Sequence, residues 1–521
     1  MLLFASCQAD LDLKPEDTRE TSASVFENPE SYQLFLAKLY AGLSLSGQQG
    51  PAGQPDLAGL DEGFSNYMRL YFMMQELPTD EAVIGWNDGT IADLHAQNWT
   101  SGNEFIRTMY SRIMYQVALT NEFLRQTEDA ALDKRGVDGE LKAEIQQYRA
   151  EARFLRALSY YHAMDLFGNP PFVTEESPIG AFLPEQIKRT DLFTYIESEL
   201  LAIENEIIVP RENQYGRADR AAVWMLLAKM YLNEGVYTKT ETPSYDKVIT
   251  YTTKIAEAGY SIPADMPYQN LFLADNDTNG AQNEVIFPIT FDGLNTQSYG
   301  GMTFIIHASI GGSMKPEDFG VSSGLAGLRT TPQFVDKFPD GAESADSRAI
   351  FHTDGQNKEI NSISVFTDGY AVAKYKNVDV NGNPGSDTSG EIPDTDFPMF
   401  RLGDAYLMYA EAVLQGGGGS KGQAVTYINQ LRERAYGDSS GNISEAQLTL
   451  DFILDERARE LYWEAHRRTD LVRFNQFTEN GIWAFKGGVP QGSTTPAFRN
   501  IFPIPASDLG VNTNLTQNQG Y

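Results

Sequence analysis

The sequence predicts an all-α dominated protein, in which helix pairs form a scaffold that carries large loop-rich insertions. Several segments place apolar residues three and four positions apart, which is the period of an amphipathic helix. Stretches rich in Gly, Asp and Asn separate these segments, and such stretches are typical of loops. No stretch approaches the length of about 18 apolar residues that a membrane-spanning helix needs.

The clearest helix is predicted from Glu144 to Phe167. Phe154, Leu158 and Tyr161 recur along it at helical spacing, so they mark one apolar face. The segment Gly168–Pro171 follows at once, and its glycine and two prolines are expected to end the helix.

Further helices are predicted by the same periodicity. They run from Arg220 to Glu234, Tyr245 to Ala258, Arg401 to Ala412, Gln423 to Ala435 and Leu450 to Arg468. Their Ala, Leu and Tyr content resembles that of diverged tetratricopeptide repeats, although their spacing departs from the usual period of about 34 residues. We therefore expect tetratricopeptide-like helix pairs, mainly over residues 104–260 and 397–475.

The last predicted helix combines apolar and charged positions. Leu461 and Ala465 belong to its inward face, and Trp463 between them is expected to belong to the core. Its charged residues are Glu456, Arg457, Arg459, Glu460, Glu464, Arg467, Arg468 and, just beyond, Asp470. Opposite charges stand three and four positions apart, which predicts ion pairs that support helix packing.

Two insertions interrupt the scaffold, mainly over residues 48–103 and 271–396. Both are rich in turn-forming residues, and loops held on a rigid scaffold are where ligands usually bind. We therefore expect the ligand-binding residues to lie there.

Charge and composition narrow the class of ligand. The chain has 71 acidic and 40 basic residues, a net charge of −31. Such a surface repels phosphate backbones and anionic headgroups, so nucleic-acid binding is not expected. A neutral ligand meets no such repulsion, and the 26 tyrosines offer rings on which flat sugar faces can stack, although most of them belong to the core.

Cys7 is the single cysteine, so neither an intrachain disulfide nor a cysteine-based metal cluster can form. It follows an apolar stub with a small residue, Ser6, just before it. This pattern looks like the end of a lipoprotein signal peptide, and we interpret residues 1–7 as its remnant, ending at a lipidated Cys7. A buried N-terminal cysteine is the alternative.

Motifs of catalytic chemistry are lacking in the sequence. The five histidines form no zinc-binding pattern, and neither a phosphate-binding loop nor a nucleophile elbow occurs. Glu76, Asp80 and Glu81 cluster before Trp86 and could supply the acid and base of a glycoside hydrolase. Such clusters arise by composition alone in so acidic a chain, so we predict that the protein is not an enzyme and requires no cofactor.

An Asx-rich loop offers ligands for a structural calcium ion. Asp277 and Asn279 offer hard oxygen ligands in the run 275–279. The pattern lacks the frame of an EF-hand, so an ordinary Asx-rich turn is the alternative.

Several collinear segments resemble the SusD branch of the SusD/RagB family over nearly the whole chain. They are Asp61–Gly63, Glu76–Glu81, Arg153–Leu158, Asp165–Gly168, Phe272–Asp277, Tyr299–Gly301, Phe397–Leu402, Arg467–Phe474 and Phe502–Pro505. The resemblance implies a single SusD-like domain over residues 8–521 behind a lipidated Cys7. It also implies an outer-membrane, surface-exposed lipoprotein that packs against a SusC-like TonB-dependent transporter and presents an aromatic sugar platform.

The resemblance carries over to the binding residues unevenly. Arg69 matches an arginine that bonds sugar hydroxyls in starch-binding relatives, and Tyr299 matches a platform tyrosine. The two platform tryptophans of those relatives fall on Ile84 and Leu325, and a sugar-binding asparagine falls approximately on Asn87 or Asp88. We expect Trp86 to supply a substitute ring.

The sequence thus predicts a carrier of oligosaccharide, with a neutral glucan, starch-like or laminarin-like, as its ligand. A peptide-binding protein of the RagB type is the first alternative, and a glycoside hydrolase is the second.

Overall fold

The computed structural model describes residues 25–521, and helices dominate it. The helices are α1 Glu30–Ser44, α2 Tyr67–Glu76, α3 Ala92–Ala96, α4 Glu104–Gln126, α5 Asp129–Lys134, α6 Gly139–Phe167, α7 Arg189–Ile203, α8 Arg220–Leu232, α9 Glu234–Thr238, α10 Tyr245–Ala256, α11 Gly301–Ala308, α12 Pro332–Val335, α13 Leu402–Leu414, α14 Lys421–Tyr436, α15 Leu450–Leu461, α16 Arg467–Arg473 and α17 Ala506–Val511. The strands are β1 Val83–Ile84, β2 Val285–Ile289, β3 Leu328–Arg329, β4 Phe351–His352, β5 Ala371–Val372 and β6 Phe397–Arg401. Cys7 lies outside the described residues.

The long helices pack side by side in a stacked series. α4 packs against α6, α6 against α7, α8 against α10, α10 against α13, and α13 against both α14 and α15. This is the predicted scaffold of helix pairs, and the predicted fold class is confirmed. Within residues 25–521 no helix is both long and apolar enough to span a bilayer.

α6 shows why the scaffold forms where it does. The side chain of Asp138 caps its start by accepting a hydrogen bond from the Leu141 amide at 2.9 Å, so the helix begins five residues before the predicted Glu144. It ends at Phe167, as predicted, because Gly168 takes a positive φ of 73°.

The strands form three antiparallel pairs, and one pair brings loops of the two predicted insertions together. β1 pairs with β3, with Val83 opposite Arg329 and Ile84 opposite Leu328. This pairing brings the loop after β1 next to residues 325–327, from the second predicted insertion.

The prediction of one continuous helix from Leu450 to Arg468 is wrong. α15 ends at Leu461, and α16 begins at Arg467 after a turn in which Trp463 and Ala465 have positive φ values of 60° and 62°. Two buried carboxyl groups stabilise this turn: Glu81 accepts a hydrogen bond from the Trp463 amide at 3.3 Å, and Glu76 accepts one from the His466 amide at 3.2 Å. Trp463 itself is buried, as predicted.

The charged residues of this segment are buried rather than arrayed along a solvated helix. Most of their partners come from other elements, which the predicted pairing along the helix did not foresee. Arg401 of β6 binds Glu464 at 2.6 Å, Glu460 at 2.7 Å and Glu284 at 2.8 Å. A buried ion network therefore joins α15 and the turn after it to β6 and the residue before β2.

Candidate functional site

An open cavity of about 500 Å³ lies beside α2 and α11. Its lining residues are Pro51, Ala52, Gly53, Asp61, Glu62, Gly63, Phe64, Arg69, Trp86, Tyr299, Thr303, Phe304, His307, Ser323, Leu325 and Glu391. The cavity brings together three of the residues predicted to bind ligand, Arg69, Trp86 and Tyr299.

Arg69 lies in the first turn of α2, a helix whose residues are all buried. The side chain of Asn66 caps this helix by accepting a hydrogen bond from the Arg69 amide at 3.0 Å. The guanidinium carbon lies 3.9 Å from the ring centre of Phe64 and 4.1 Å from that of Phe304. The cation is therefore held between two aromatic faces, which attract it through their quadrupoles.

The guanidinium of Arg69 has donors that the fold leaves unpaired. Its side chain is buried, and among residues 25–521 its enclosed Nε and Nη2 find no hydrogen-bond partner and no carboxylate lies at ion-pair distance. Burial lowers the pKa of Arg69 to about 9, although Asp61, Asp88 and Glu62 partly oppose this. Arg69 thus stays charged at neutral pH, and it lines the cavity with 5% of its surface exposed.

Trp86 follows β1 and lies half-buried at the wall. Its indole Nε1 donates to the carbonyl oxygen of Leu325 at 3.0 Å, and its ring packs edge-on against Phe304 with centroids 5.8 Å apart. A Cβ at Gly327 would lie 2.5 Å from the indole ring, so only glycine allows this close approach. The indole is therefore fixed in orientation.

Tyr299 forms a more exposed part of the wall. The residue is 42% exposed, and its hydroxyl donates to Glu391 Oε2 at 3.3 Å. Its backbone amide donates to Glu62 Oε2 at 3.0 Å, while the Ser298 hydroxyl donates to Glu62 Oε1 at 2.7 Å. Burial raises the pKa of Glu62 above its ordinary value, although these hydrogen bonds oppose the rise.

The other predicted positions fall differently around the cavity. Ile84 is fully buried in β1 and does not line it, whereas Leu325 does and is 52% exposed. Asn87 and Asp88 are exposed and lie outside the lining. After Trp86 the chain turns toward α4, where the Thr90 amide donates to Glu104 Oε1 at 3.1 Å.

Sequence reasoning did not assign a role in the site to Phe64, Phe304, His307 or Glu391. Phe64 directly follows the Asp61–Gly63 motif, so the motif itself was the signal that could have indicated it. Phe304 and Glu391 contact site residues that are distant in sequence, and no local pattern marks them.

The carboxylates considered for catalysis lie in the core. Glu76, Asp80 and Glu81 are 0%, 5% and 1% exposed and do not line the cavity. Asp80 binds Arg467 at 2.7 Å, and this guanidinium holds its pKa well below the ordinary value despite burial. Burial raises the pKa of both Glu76 and Glu81, which interact with each other. The three carboxyl groups cannot reach a polysaccharide.

The residues considered for calcium form an Asx-rich turn. Asp277 is exposed, while the side-chain oxygen of Asn279 already accepts from the Ala281 amide at 3.0 Å. In the described part of the chain no group of three or more His, Cys, Asp or Glu side chains is placed to hold a metal ion. Calcium binding at Asp277 and Asn279 stays a prediction.

The chain resembles known proteins both in sequence and in fold. Residues 355–521 match the family model described as the SusD family. The chain is 36% identical to the starch-binding protein SusD of Bacteroides thetaiotaomicron, over 99% of this chain and 96% of that protein. The chain therefore belongs to the SusD family, and the family predicted from the sequence motifs is confirmed.

More distant relatives agree with this assignment. SusD-like protein P2 of Formosa agariphila is 27% identical, over 76% of this chain and 78% of that protein. Surface glycan-binding protein A from Bacteroides thetaiotaomicron, solved in complex with laminarihexaose, superposes with a TM-score of 0.71 at 17% identity, over 94% of this chain and 99% of that one. A SusD superfamily protein from Parabacteroides distasonis gives a TM-score of 0.70 at 20% identity, over 96% and 100%. At such identities the two structures support the fold alone.

Proposed function

We propose that this chain is a non-catalytic, surface-exposed glycan-binding lipoprotein, which captures a neutral glucan and delivers it to a SusC-like TonB-dependent transporter. One observation carries the proposal. Arg69 is a buried cation that lines an open cavity with aromatic walls, and the described residues leave two of its donors without a hydrogen-bond partner.

The cavity offers the groups that a sugar needs. The rings of Trp86 and Tyr299 can stack on the apolar faces of sugar residues, at about 1 kcal/mol for each contact beyond the burial of area. Arg69 can donate to sugar hydroxyls, and the carboxylate of Glu391 can accept from them. A neutral polyol both donates and accepts hydrogen bonds, so it suits a wall that carries both kinds of group.

The charges around the cavity favour a neutral ligand. Asp61, Glu62 and Glu391 line it beside Arg69. An anionic sugar would gain from Arg69 but meet repulsion from the carboxylates, in a chain whose net charge is −31. A glucan has no net charge, so neither this charge attraction nor this repulsion acts on it.

The relatives indicate which glucans to test. One is named as a starch-binding protein, and a more distant structure was solved with laminarihexaose. An α-linked and a β-linked glucan are therefore the two ligands with support, and starch-like α-glucan has the closer relative.

The absence of catalysis is part of the proposal. Glycoside hydrolysis uses two carboxyl groups that flank the scissile bond. Glu76, Asp80 and Glu81 are buried in the core and do not line the cavity, and both oxygens of Glu62 accept hydrogen bonds from Ser298 and Tyr299. Incubation with amylose or laminarin is expected to release no reducing ends, and release would contradict this part.

The membrane anchor and the delivery of sugar to the transporter are proposed from the sequence and from membership of the family. We expect Cys7 to be acylated and to hold the protein on the outer membrane, where a transporter can accept the sugar. Affinity should be modest, because an open site with few contacts must release its ligand. Fractionation of host cells that carry Cys7→Ala tests the anchor: the variant is expected to leave the membrane fraction, and unchanged fractionation would contradict it.

Calorimetric titration tests the binding function directly. Maltohexaose and laminarihexaose are the glucans, oligogalacturonate is the anionic control, and mixed peptides test the RagB-like alternative. Tyr299→Ala is the site variant, and Tyr215→Ala is its matched control, since Tyr215 is 38% exposed and lies outside the cavity.

We expect at least one glucan to bind, oligogalacturonate and peptides not to bind, and only Tyr299→Ala to weaken binding. Binding of peptides without any glucan would overturn the proposal. Equal loss of binding in both tyrosine variants would remove the cavity as the site.

A further inference from the structure

His307 lies in the last turn of α11 and lines the cavity with only 4% of its surface exposed. It is placed between two segments of the cavity wall that are far apart in the sequence, one around Ser323 and the other around Glu391. No motif in the sequence indicated this position.

Both ring nitrogens of His307 face backbone carbonyl oxygens. Nδ1 lies 2.9 Å from the oxygen of Ser323, and Nε2 lies 3.0 Å from the oxygen of Glu391. A neutral imidazole has one N–H and one lone pair, whereas an imidazolium has two N–H groups. Both contacts can therefore be hydrogen bonds only when the ring is protonated. In the neutral ring a nitrogen lone pair would face a carbonyl lone pair, and one contact would be repulsive.

The two contacts reach both aromatic parts of the cavity. The Ser323 segment continues to Leu325, whose carbonyl oxygen accepts the indole N–H of Trp86. The side chain of Glu391 accepts the hydroxyl of Tyr299. A rotation of the His307 ring would thus shift the supports of Trp86 and Tyr299 together.

We propose that His307 is a positioning residue of the cavity, which in its protonated form clamps the Ser323 and Glu391 segments and fixes the spacing between Trp86 and Tyr299. The clamp is a property of the free protein, and its consequence for glucan affinity rests on the proposed function. Deprotonation releases one of the two contacts and loosens the wall.

The groups around His307 set the direction of the pH dependence. Burial lowers the pKa of His307, whereas the two carbonyl oxygens and the carboxylate of Glu391 oppose this. The ring therefore takes up its proton below its ordinary pKa of about 6.5. The clamp is closed below the pKa of His307 and released above it. The other charged or titratable groups of the cavity wall are Arg69, Asp61, Tyr299 and Glu62, and the raised pKa of Glu62 makes it the group to separate from His307.

Nuclear magnetic resonance of protein labelled with ¹⁵N in histidine and tryptophan tests the clamp without any ligand. His307→Gln and Trp86→Phe assign the signals, and His352→Gln serves as the matched histidine control outside the cavity. We expect the two His307 nitrogens to become alike on acidification, and the Trp86 indole signal to shift with the same midpoint. The indole shift should vanish in His307→Gln and persist in His352→Gln and Glu62→Gln. An indole shift that survives His307→Gln, or a His307 ring that stays neutral throughout the stable pH range, would overturn the proposal.

The consequence for binding is measured with the glucan that binds. Affinity should be about fivefold tighter below the midpoint than above it, within the usual range of coupling between two sites. This ratio should fall to about one in His307→Gln and be kept in Glu62→Gln. If no glucan binds at any pH, the proposed function fails, while the resonance data still decide the clamp. If a glucan binds with the same pH dependence in His307→Gln, the clamp fails and the proposed function stands.

Discussion

Arg69 and Arg401 are both buried arginines, but the structure surrounds them differently. Burial alone would lower the pKa of Arg401, but the carboxylates of Glu464, Glu460 and Glu284 raise it well above the ordinary value. Arg69 has aromatic rings in place of carboxylates, and burial lowers its pKa to about 9. Arg401 has its charge compensated within the fold, whereas Arg69 keeps donors that the fold does not use. The comparison separates a structural cation from one that is available to a ligand.

The largest expected effect comes from breaking the structural side of this comparison. Arg401→Met leaves buried carboxylates without their cation, so the free energy of unfolding should fall by about 3 to 5 kcal/mol. Denaturant unfolding measures it. Lys247→Met is the control, because Lys247 forms an exposed pair with Glu197 and its loss should cost less than about 1 kcal/mol. Equal costs for the two variants would contradict the role of the network.

Trp463 tests the same region through packing. Trp463→Ala removes a buried ring from the turn between α15 and α16, where its Nε1 donates to the Glu81 carbonyl at 3.1 Å, and should cost about 3 to 5 kcal/mol of unfolding free energy. The folded fraction should bind glucan with wild-type affinity, since Trp463 does not line the cavity. A variant that unfolds like the wild type but loses binding would reverse the assignment.

Glu76 adds a pH dependence to the structural region. Burial raises the pKa of Glu76 to about 7, so the folded state holds a proton that the unfolded chain releases above about pH 4.3. Stability should therefore decrease as the pH rises from about 4.3 to 7, by an amount on the order of 3 kcal/mol. In Glu76→Gln this decrease should be smaller, whereas Glu445→Gln, an exposed control, should keep it. Identical pH profiles for wild type and Glu76→Gln would contradict the buried carboxyl pair.

The two regions also differ in how far the sequence predicted them. Apolar periodicity predicted α6, α8, α10, α13 and α14, because residues three and four positions apart form the apolar face by which a helix packs. The break after Leu461 was not predicted, since the Glu76 carboxyl group that stabilises it lies 390 positions away in the chain. Periodicity carries no information about such a partner.

The cavity was predicted through its residues rather than its shape. Arg69, Trp86 and Tyr299 converge, but Asn87 and Asp88 lie outside the lining. The resemblance to relatives could not supply this, since it matched Asn87 or Asp88 to a sugar-binding asparagine only approximately. The contact between Phe304 and Arg69 and the unpaired donors of Arg69 both depend on the packing of α2 against α11. Only the structure shows this packing.

Arg69→Met tests most directly whether Arg69 serves a ligand and not the fold. Methionine has a similar length and no charge, so the variant should melt no earlier than the wild type, because the cost of burying a cation without a carboxylate partner offsets its attraction to the two rings. Calorimetric titration with the cognate glucan should show affinity about 10- to 100-fold weaker, the loss expected for hydrogen bonds from a charged donor. Early melting together with wild-type affinity would show that Arg69 serves the fold and not the ligand.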